Sequence, residues 1–176
     1  RMATTDMLTN VANRASLMNR FKEEFSRQRR NLSPQGCLMI DVDHFKLVND
    51  RYGHPQGDVV LKELAEIVAP SLRPYDTFGR YGGEEFLIVL DGCDAEFLGR
   101  IAERTRAEVE AKLGKRSGLT EPVTISVGGT LVLPEDQTVD DVIRRADKAL
   151  YMAKGQGRNR VVLLAHEALS AAESSG

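Results

Sequence analysis

The chain has 176 residues, 41% of them hydrophobic, and its 24 basic and 26 acidic side chains leave a formal net charge of -2. That is the size of one globular domain with a real core, and the near cancellation of charge excludes a broad attraction to nucleic acid or an anionic membrane; a phosphate ligand must be met by local clusters. Two cysteines, Cys37 and Cys93, too far apart for a CxxC motif, read as reduced structural thiols, and with no apolar run near the ~18 residues of a membrane span and no signal-peptide pattern, the expectation is a cytoplasmic chain without membrane contact.

The opening RMATTD has no initiation context, which reads as a piece of something longer. From Asn13, a plausible N-cap, Leu17, Phe21 and Phe25 recur at helical spacing and Arg27 to Arg30 sit near the negative dipole end, predicting an amphipathic helix. CLMIDVDHF reads as a strand, and the Val60, Leu61, Leu64 and Val68 spacing as a helix that Pro70 should end or kink. A strand pair follows, split at RYGGEEF. Asp94 to Leu113 carries Phe97, Leu98, Ile101, Thr105 and Val109 along one stripe, a second packed helix. VTISVGGTLVL alternates as a strand does. Thr138 then caps a helix bearing Val139, Val142, Ile143, Ala146, Leu150 and Ala153, Gly155 ends it, and RVVLL supplies a last strand. The residues after 164 read as a flexible tail. Interleaved strands and helices around a central hairpin predict an α+β fold, α/β in its layering: helices cover a mostly antiparallel sheet around a ferredoxin-like core.

Chemistry concentrates at two places. In a strand, Asp41 and Asp43 point to one face while Leu38, Ile40 and Val42 point to the other. Two carboxylates on one face of an apolar strand are costly unless paired or bound to a cation; a surface pair at a strand end is the alternative. The Gly82-Gly83 turn is a hairpin signal that lifts Glu84 and Glu85 to an open tip. Oxygen ligands without His or Cys suit a hard cation such as magnesium, which keeps waters and bridges to phosphates.

GGEEF, Gly82 to Phe86, resembles the signature of the GGDEF family of diguanylate cyclases in its GGEEF variant. DMLTNVANR at 6 to 14 is similar to the family's N-terminal DxLTxLxNR element, with Val11 in place of leucine; IDVDHFKLVND matches its metal-bearing strand and following turn, GHPQGD its helix start, and KGQGRN its late basic loop. The five motifs run in register over about residues 6 to 164.

The resemblance implies a nucleotidyl-cyclase-like core and a single catalytic domain over 1–164, with 1–30 as its N-terminal helix or linker region. It implies condensation of two GTP molecules into cyclic di-GMP with release of two pyrophosphates, as part of bacterial second-messenger signalling. The working form it implies would be a head-to-head homodimer, each domain holding one GTP. Magnesium, or manganese, would be bound by Asp41, Glu84 and the Val42 carbonyl, with Asp43 and Glu85 as outer or second-metal carboxylates; the catalytic set is then Asp41, Glu84, Glu85 and Lys46. The hydroxyl proton's acceptor stays open between Glu84 and a metal-bound hydroxide. Asn49 and Asp58 would read guanine, a turn residue and a helix N-cap being the alternatives. Lys46, Lys154, Arg158 and the Phe45 and Lys46 backbone would meet phosphates, with a solvated helix end as the alternative for Lys154 and Arg158; Gly82 and Gly83 leave room for the nucleotide. RPYD, Arg73 to Asp76, resembles the family's RxxD inhibitory motif, where Arg73, Asp76 and Arg104 would bind the product; a surface ion pair is the alternative. An upstream sensory or receiver domain is implied, and the competing function is a catalytically silent module that binds GTP or cyclic di-GMP as a receptor.

Overall fold

The computed structural model describes residues 3–165, so the tail expected from 165 onward falls, apart from its first residue, outside the described residues. Helix α1 (Arg14–Asn31) starts where its cap predicts: the Asn13 side chain accepts from the Ser16 amide at 2.9 Å, satisfying one of the donors a helix start leaves open. Its apolar stripe, Leu17, Phe21 and Phe25, is buried against the sheet. At roughly 1.5–3 kcal/mol per buried large apolar side chain, that stripe ties the helix down.

Strand β1 (Gln35–Val42) is buried along its whole length. A helical pair follows, α2 (Phe45–Tyr52) and α3 (His54–Val68), and a short 3-10 turn at Ala69–Ser71 carries Pro70, which ends α3 as expected. Then come β2 (Thr77–Arg80), β3 (Glu85–Asp91), α4 (Ala95–Arg116), β4 (Ile125–Leu131), α5 (Val139–Gly155) and β5 (Val161–Leu164). The sheet order is β2-β3-β1-β4-β5, antiparallel at every pair except β4 with β5. The first four strands, joined through α3 and α4, have the β-α-β-β-α-β connectivity of a ferredoxin-like core; α5 and β5 extend it.

Each face of the sheet carries its own core. Leu38, Ile40, Val42, Phe86 and Ile88 pack towards α3 and α4, while Cys37, Met39, Leu87 and Val89 pack towards α1 and α5. The period-two alternation therefore puts Asp41 on the α1/α5 face, beyond Met39. Gly128 of β4 has no room for a side chain, since a Cβ there would meet the Leu150 amide and Ala146 carbonyl of α5. That close approach is what brings the C-terminal end of α5 up to Asp41. Both cysteines are free and buried, and burial pushes both thiols up to about 12, as expected for structural thiols.

One expectation changes: FKLVNDRY is helix α2 rather than a turn. Helix α3 starts at His54, within GHPQGD, with Pro55 in its first turn, so Asp58 lies inside the helix and the N-cap alternative does not hold.

Candidate active site

The carboxyl end of β1, the β2–β3 hairpin, the start of α2 and the end of α5 enclose an open cleft of about 490 Å³. Asp41, Val42, Asp43, Phe45, Lys46, Glu84, Lys154 and Arg158 all line it. Asp41 is nearly buried, and the Lys154 ammonium at the end of α5 donates to its Oδ2 at 2.7 Å. Glu84 sits in the hairpin, where its backbone carbonyl accepts from the Val42 amide at 3.3 Å. Burial first, and then the charge and hydrogen bond of Asp41, raise the Glu84 carboxyl to about 6, against the pull of Lys154. Glu85 is raised too, by burial and by the charges of Asp41 and Asp147. A carboxylate pair whose members resist joint ionisation is short of positive charge.

The donor set fits magnesium or manganese. Every candidate ligand is an oxygen, and among the described residues no three His, Cys, Asp or Glu side chains converge into a closed cage. Two carboxylates and a carbonyl leave positions for water and phosphate, which is how magnesium is usually held. Lys154 supplies the countercharge to Asp41 meanwhile.

Asp41 and Asp43 share a face but not a role. Asp43 is buried, its Oδ1 accepting from Ser126 Oγ at 2.6 Å and its Oδ2 from Thr124 Oγ1 at 2.7 Å and the Asn159 amide at 2.9 Å. These three donors satisfy the carboxylate from within the protein.

One end of the cleft is a helix start. His44 adopts a left-handed conformation at φ 55 and its side chain makes no cap, so the first amides of α2, those of Phe45 and Lys46, stay open toward the cleft. An uncapped helix N-terminus with its dipole is an anion site. Lys46 pairs with Asp50 at 2.9 Å and is well exposed, so it is free to exchange that partner. Lys154 and Arg158 face the same space.

Asn49 and Asp58 stand apart from these residues and are not on the cleft lining; Asn49 lies against Gly57 of α3, and Asp58 is an exposed residue of that helix. There the Asn49 Oδ1 is buried and has no hydrogen-bond partner, an acceptor left over for a donor the protein does not supply. Gly57 makes room for it: a Cβ at Gly57 would collide with the Asn49 amide and lie 3.1 Å from Phe45 Cζ.

The hairpin departs from expectation in two ways. Neither Gly82 nor Gly83 has positive φ, so their conformation is open to other residues and their value is space; a Cβ on Gly83 would meet nothing within 4 Å, and one on Gly82 would crowd Glu85 Oε1 at 2.9 Å. Glu85 is not at the tip but in β3, with its Cα opposite Asp41, because pairing with β1 continues to that residue. Sequence reasoning also missed what steadies the tip. Arg80 donates to the Gly83 carbonyl at 2.7 Å and to Asp6 Oδ1 at 3.2 Å, while Asp6 accepts from the Thr9 amide at 2.9 Å. Arg14 donates to the Tyr81 carbonyl at 3.1 Å and stacks on its ring at 4.2 Å. The N-terminal DMLT turn and α1 thus brace the hairpin.

Arg73 and Asp76 form a tight pair: Nη2 to Oδ1 at 3.1 Å, Nε to Oδ2 at 3.2 Å and the Arg73 amide to Oδ2 at 2.8 Å. The guanidinium also donates to the Asp91 carbonyl at 2.6 Å and lies 4.7 Å from the Tyr75 and Phe97 ring centroids. Arg104 donates to the Ser71 carbonyl at 3.1 Å, on the neighbouring stretch of α4.

Comparison with known proteins places this arrangement. A family model described as "Diguanylate cyclase, GGDEF domain" matches residues 3–160. "Diguanylate cyclase A" of Treponema denticola is 39% identical over 168 residues, covering 92% of this chain and 44% of that protein. A diguanylate cyclase of Vibrio cholerae is 38% identical over 161 residues, covering 91% and 49%. The chain thus spans less than half the length of these relatives. Among solved structures, the GGDEF domain of DgcB from Caulobacter crescentus in complex with c-di-GMP superposes with a TM-score of 0.86 at 34% identity, covering 93% of this chain and 94% of that one. The active GGEEF domain of a Vibrio cholerae diguanylate cyclase matches with a TM-score of 0.81 at 35% identity, covering 88% and 97%.

Proposed function

Because the chain belongs to the GGDEF family of diguanylate cyclases, we propose that it is the catalytic domain of a cyclase that joins two GTP molecules into cyclic di-GMP. The observation that carries this reading is the acidic pair Asp41 and Glu84 facing an uncapped helix start and two cations in one cleft. A bound magnesium or manganese would supply charge neutralisation at the α- to γ-phosphates.

The protein's own groups do the rest. Asp41 and Glu84, with the Val42 carbonyl, would hold the ion. The Phe45 and Lys46 amides and the Lys154 and Arg158 side chains hold the triphosphate tail, Lys as a point charge and Arg as a fork. Lys154, which pairs with Asp41 at 2.7 Å in this structure, would exchange that partner for a phosphate oxygen. Asn49 Oδ1 and the Asp58 carboxylate accept from the N1–H and amino group of guanine, donors that adenine lacks in that pattern. In the reaction a 3′-hydroxyl oxygen forms a bond to the α-phosphorus of the other nucleotide, the α–β anhydride bond breaks, pyrophosphate leaves with its electron pair, and the hydroxyl proton passes to a base, for which Glu84 is this chain's candidate. Repeating the step with the roles exchanged closes the ring. One domain holds one GTP, so two domains must face each other, and rate comes from alignment and preorganised charge.

Product control follows from the second site. We propose that cyclic di-GMP binds at Arg73, Asp76 and Arg104, with Arg73 exchanging its bonds to Asp76 and the Asp91 carbonyl for the guanine edge or a phosphate. The test is a titration of product against turnover in wild type and Arg73→Ala. Inhibition relieved in the variant, with GTP affinity kept, is expected; an unchanged inhibition constant excludes the site.

A further inference from the structure

The phosphate-facing loop after α5 holds a backbone that local sequence does not favour. Gly157, Arg158 and Asn159 take φ of 124, 64 and 45 in succession. Non-glycine residues at positive φ are strained and persist only where the surroundings enforce them. Backward hydrogen bonds account for the first half of the loop: Gly157 N–H reaches the Lys154 carbonyl at 3.3 Å and Arg158 N–H the Ala153 carbonyl at 3.0 Å. The second half is enforced at one residue. Asn159 donates its backbone N–H to Asp43 Oδ2 at 2.9 Å, accepts at Oδ1 from Arg106 Nη1 at 2.8 Å, and donates Nδ2 to Glu110 Oε2.

Two of those partners, Asp43 and Arg106, are themselves fixed. Asp43 is bonded to Ser126 and Thr124 on the β4 side. Arg106 is mostly buried on α4 and is gripped by Glu103 at 2.6 Å through Nη2 and at 3.0 Å through Nε. Asn159 therefore pins the loop to the end of the sheet and to α4 together. Asparagine suits the position, since it tolerates left-handed backbone better than other non-glycine residues.

We infer that Asn159 is a positioning residue for the phosphate end of the nucleotide site: through Asp43, Arg106 and Glu110 it holds the loop so that Arg158 faces the cleft. This rests on the reading of the cleft as a triphosphate site. Asn159 touches no substrate group itself; its effect passes through the neighbouring guanidinium.

The test is a double-mutant cycle read by calorimetric titration, using magnesium tripolyphosphate and magnesium GTP as separate probes. Asn159→Gly removes the side-chain contacts and keeps the left-handed backbone accessible. It is expected to weaken tripolyphosphate binding about tenfold, the scale of one hydrogen bond to a charged group. Arg158→Ala should cause a similar loss, and adding Asn159→Gly to it should cost less than about twofold further, since coupled residues fail to add. Arg106→Met, remote from the cleft, should give part of the same loss. Thermal unfolding of each variant checks that the fold persists. Full loss from Asn159→Gly in the Arg158→Ala background, or none in the wild-type background, overturns the inference, as does failure of the wild type to bind tripolyphosphate. Tripolyphosphate binding with GTP bound no more tightly contradicts the guanine reading alone and leaves the positioning role standing.

Discussion

Replacing Glu84 by glutamine should stabilise the metal-free protein at neutral pH, and the structure sets both the size and the pH window of the effect. The Glu84 carboxyl is raised from 4.5 to about 6, chiefly by burial and by Asp41. A shift of about 1.5 units at 1.36 kcal/mol per unit is ~2 kcal/mol, and because Glu84 remains partly exposed, solvent screening reduces this to ~1 kcal/mol. The folded state holds the proton more tightly than the unfolded state. The penalty is therefore absent below 4.5, grows as pH rises, and is fully present above about 6. Glutamine keeps the shape and the hydrogen bond to Asp41 without the charge. In chelator-treated samples Glu84→Gln should melt about 2–4 °C higher than wild type at pH 7.5, the scale of ~1 kcal/mol in a domain of this size, and the two should coincide at pH 4.5. Magnesium with GTP should then stabilise wild type and leave the variant almost unmoved. A variant less stable than wild type at pH 7.5, or one gaining equally at pH 4.5, refutes the charge-crowding argument.

Other perturbations separate the remaining parts of the molecule. Arg145→Met leaves Asp136 buried without its partner at 2.6 Å, and denaturant unfolding should record a loss of about 3–5 kcal/mol, whereas a loss below ~1 kcal/mol would mean that Asp136 finds other donors. Gly57→Ala pushes the Asn49 amide from its place, so GTP affinity should fall about tenfold while tripolyphosphate affinity stays put, a single lost hydrogen bond being the scale; equal losses for both would detach Asn49 from base reading. Arg80→Met frees the Gly83 carbonyl and Asp6, both partly exposed, so stability should drop by no more than ~1 kcal/mol. Its turnover should drop more than its stability, with faster amide exchange at Gly82 and Gly83; unchanged exchange would show that the tip does not depend on the clamp.

Where local pattern carries the information, the sequence was legible. The α1 stripe, the β1 alternation and the Pro70 stop all follow from spacing and backbone rules, and each is found where those rules put it. Helix α2 was not legible, because FKLVNDRY buries only Val48 and begins at an uncapped left-handed His44. The start of α3 at His54 lies within GHPQGD, where the resemblance put it. In the candidate site, Asp41, Glu84, Lys154 and Arg158 could be named from the chain, and the structure brings all four to one cleft. Asp41 and Asp43 are indistinguishable by strand period; only the long-range donors Ser126, Thr124 and Asn159 set Asp43 apart. Arg80 and Arg106 were invisible for the same reason, since Asp6 and Asn159 lie on elements that no local window contains.

The central claim is tested most directly by incubating the chain at high concentration with GTP and magnesium and reading the products by mass spectrometry, with Glu84→Gln alongside. Cyclic di-GMP and pyrophosphate from the wild type, and neither from the variant, is the predicted result. Cyclic di-GMP formed equally by both would contradict the role given to the acidic pair, and GTP bound tightly by a dimer that yields no product would contradict the cyclase itself.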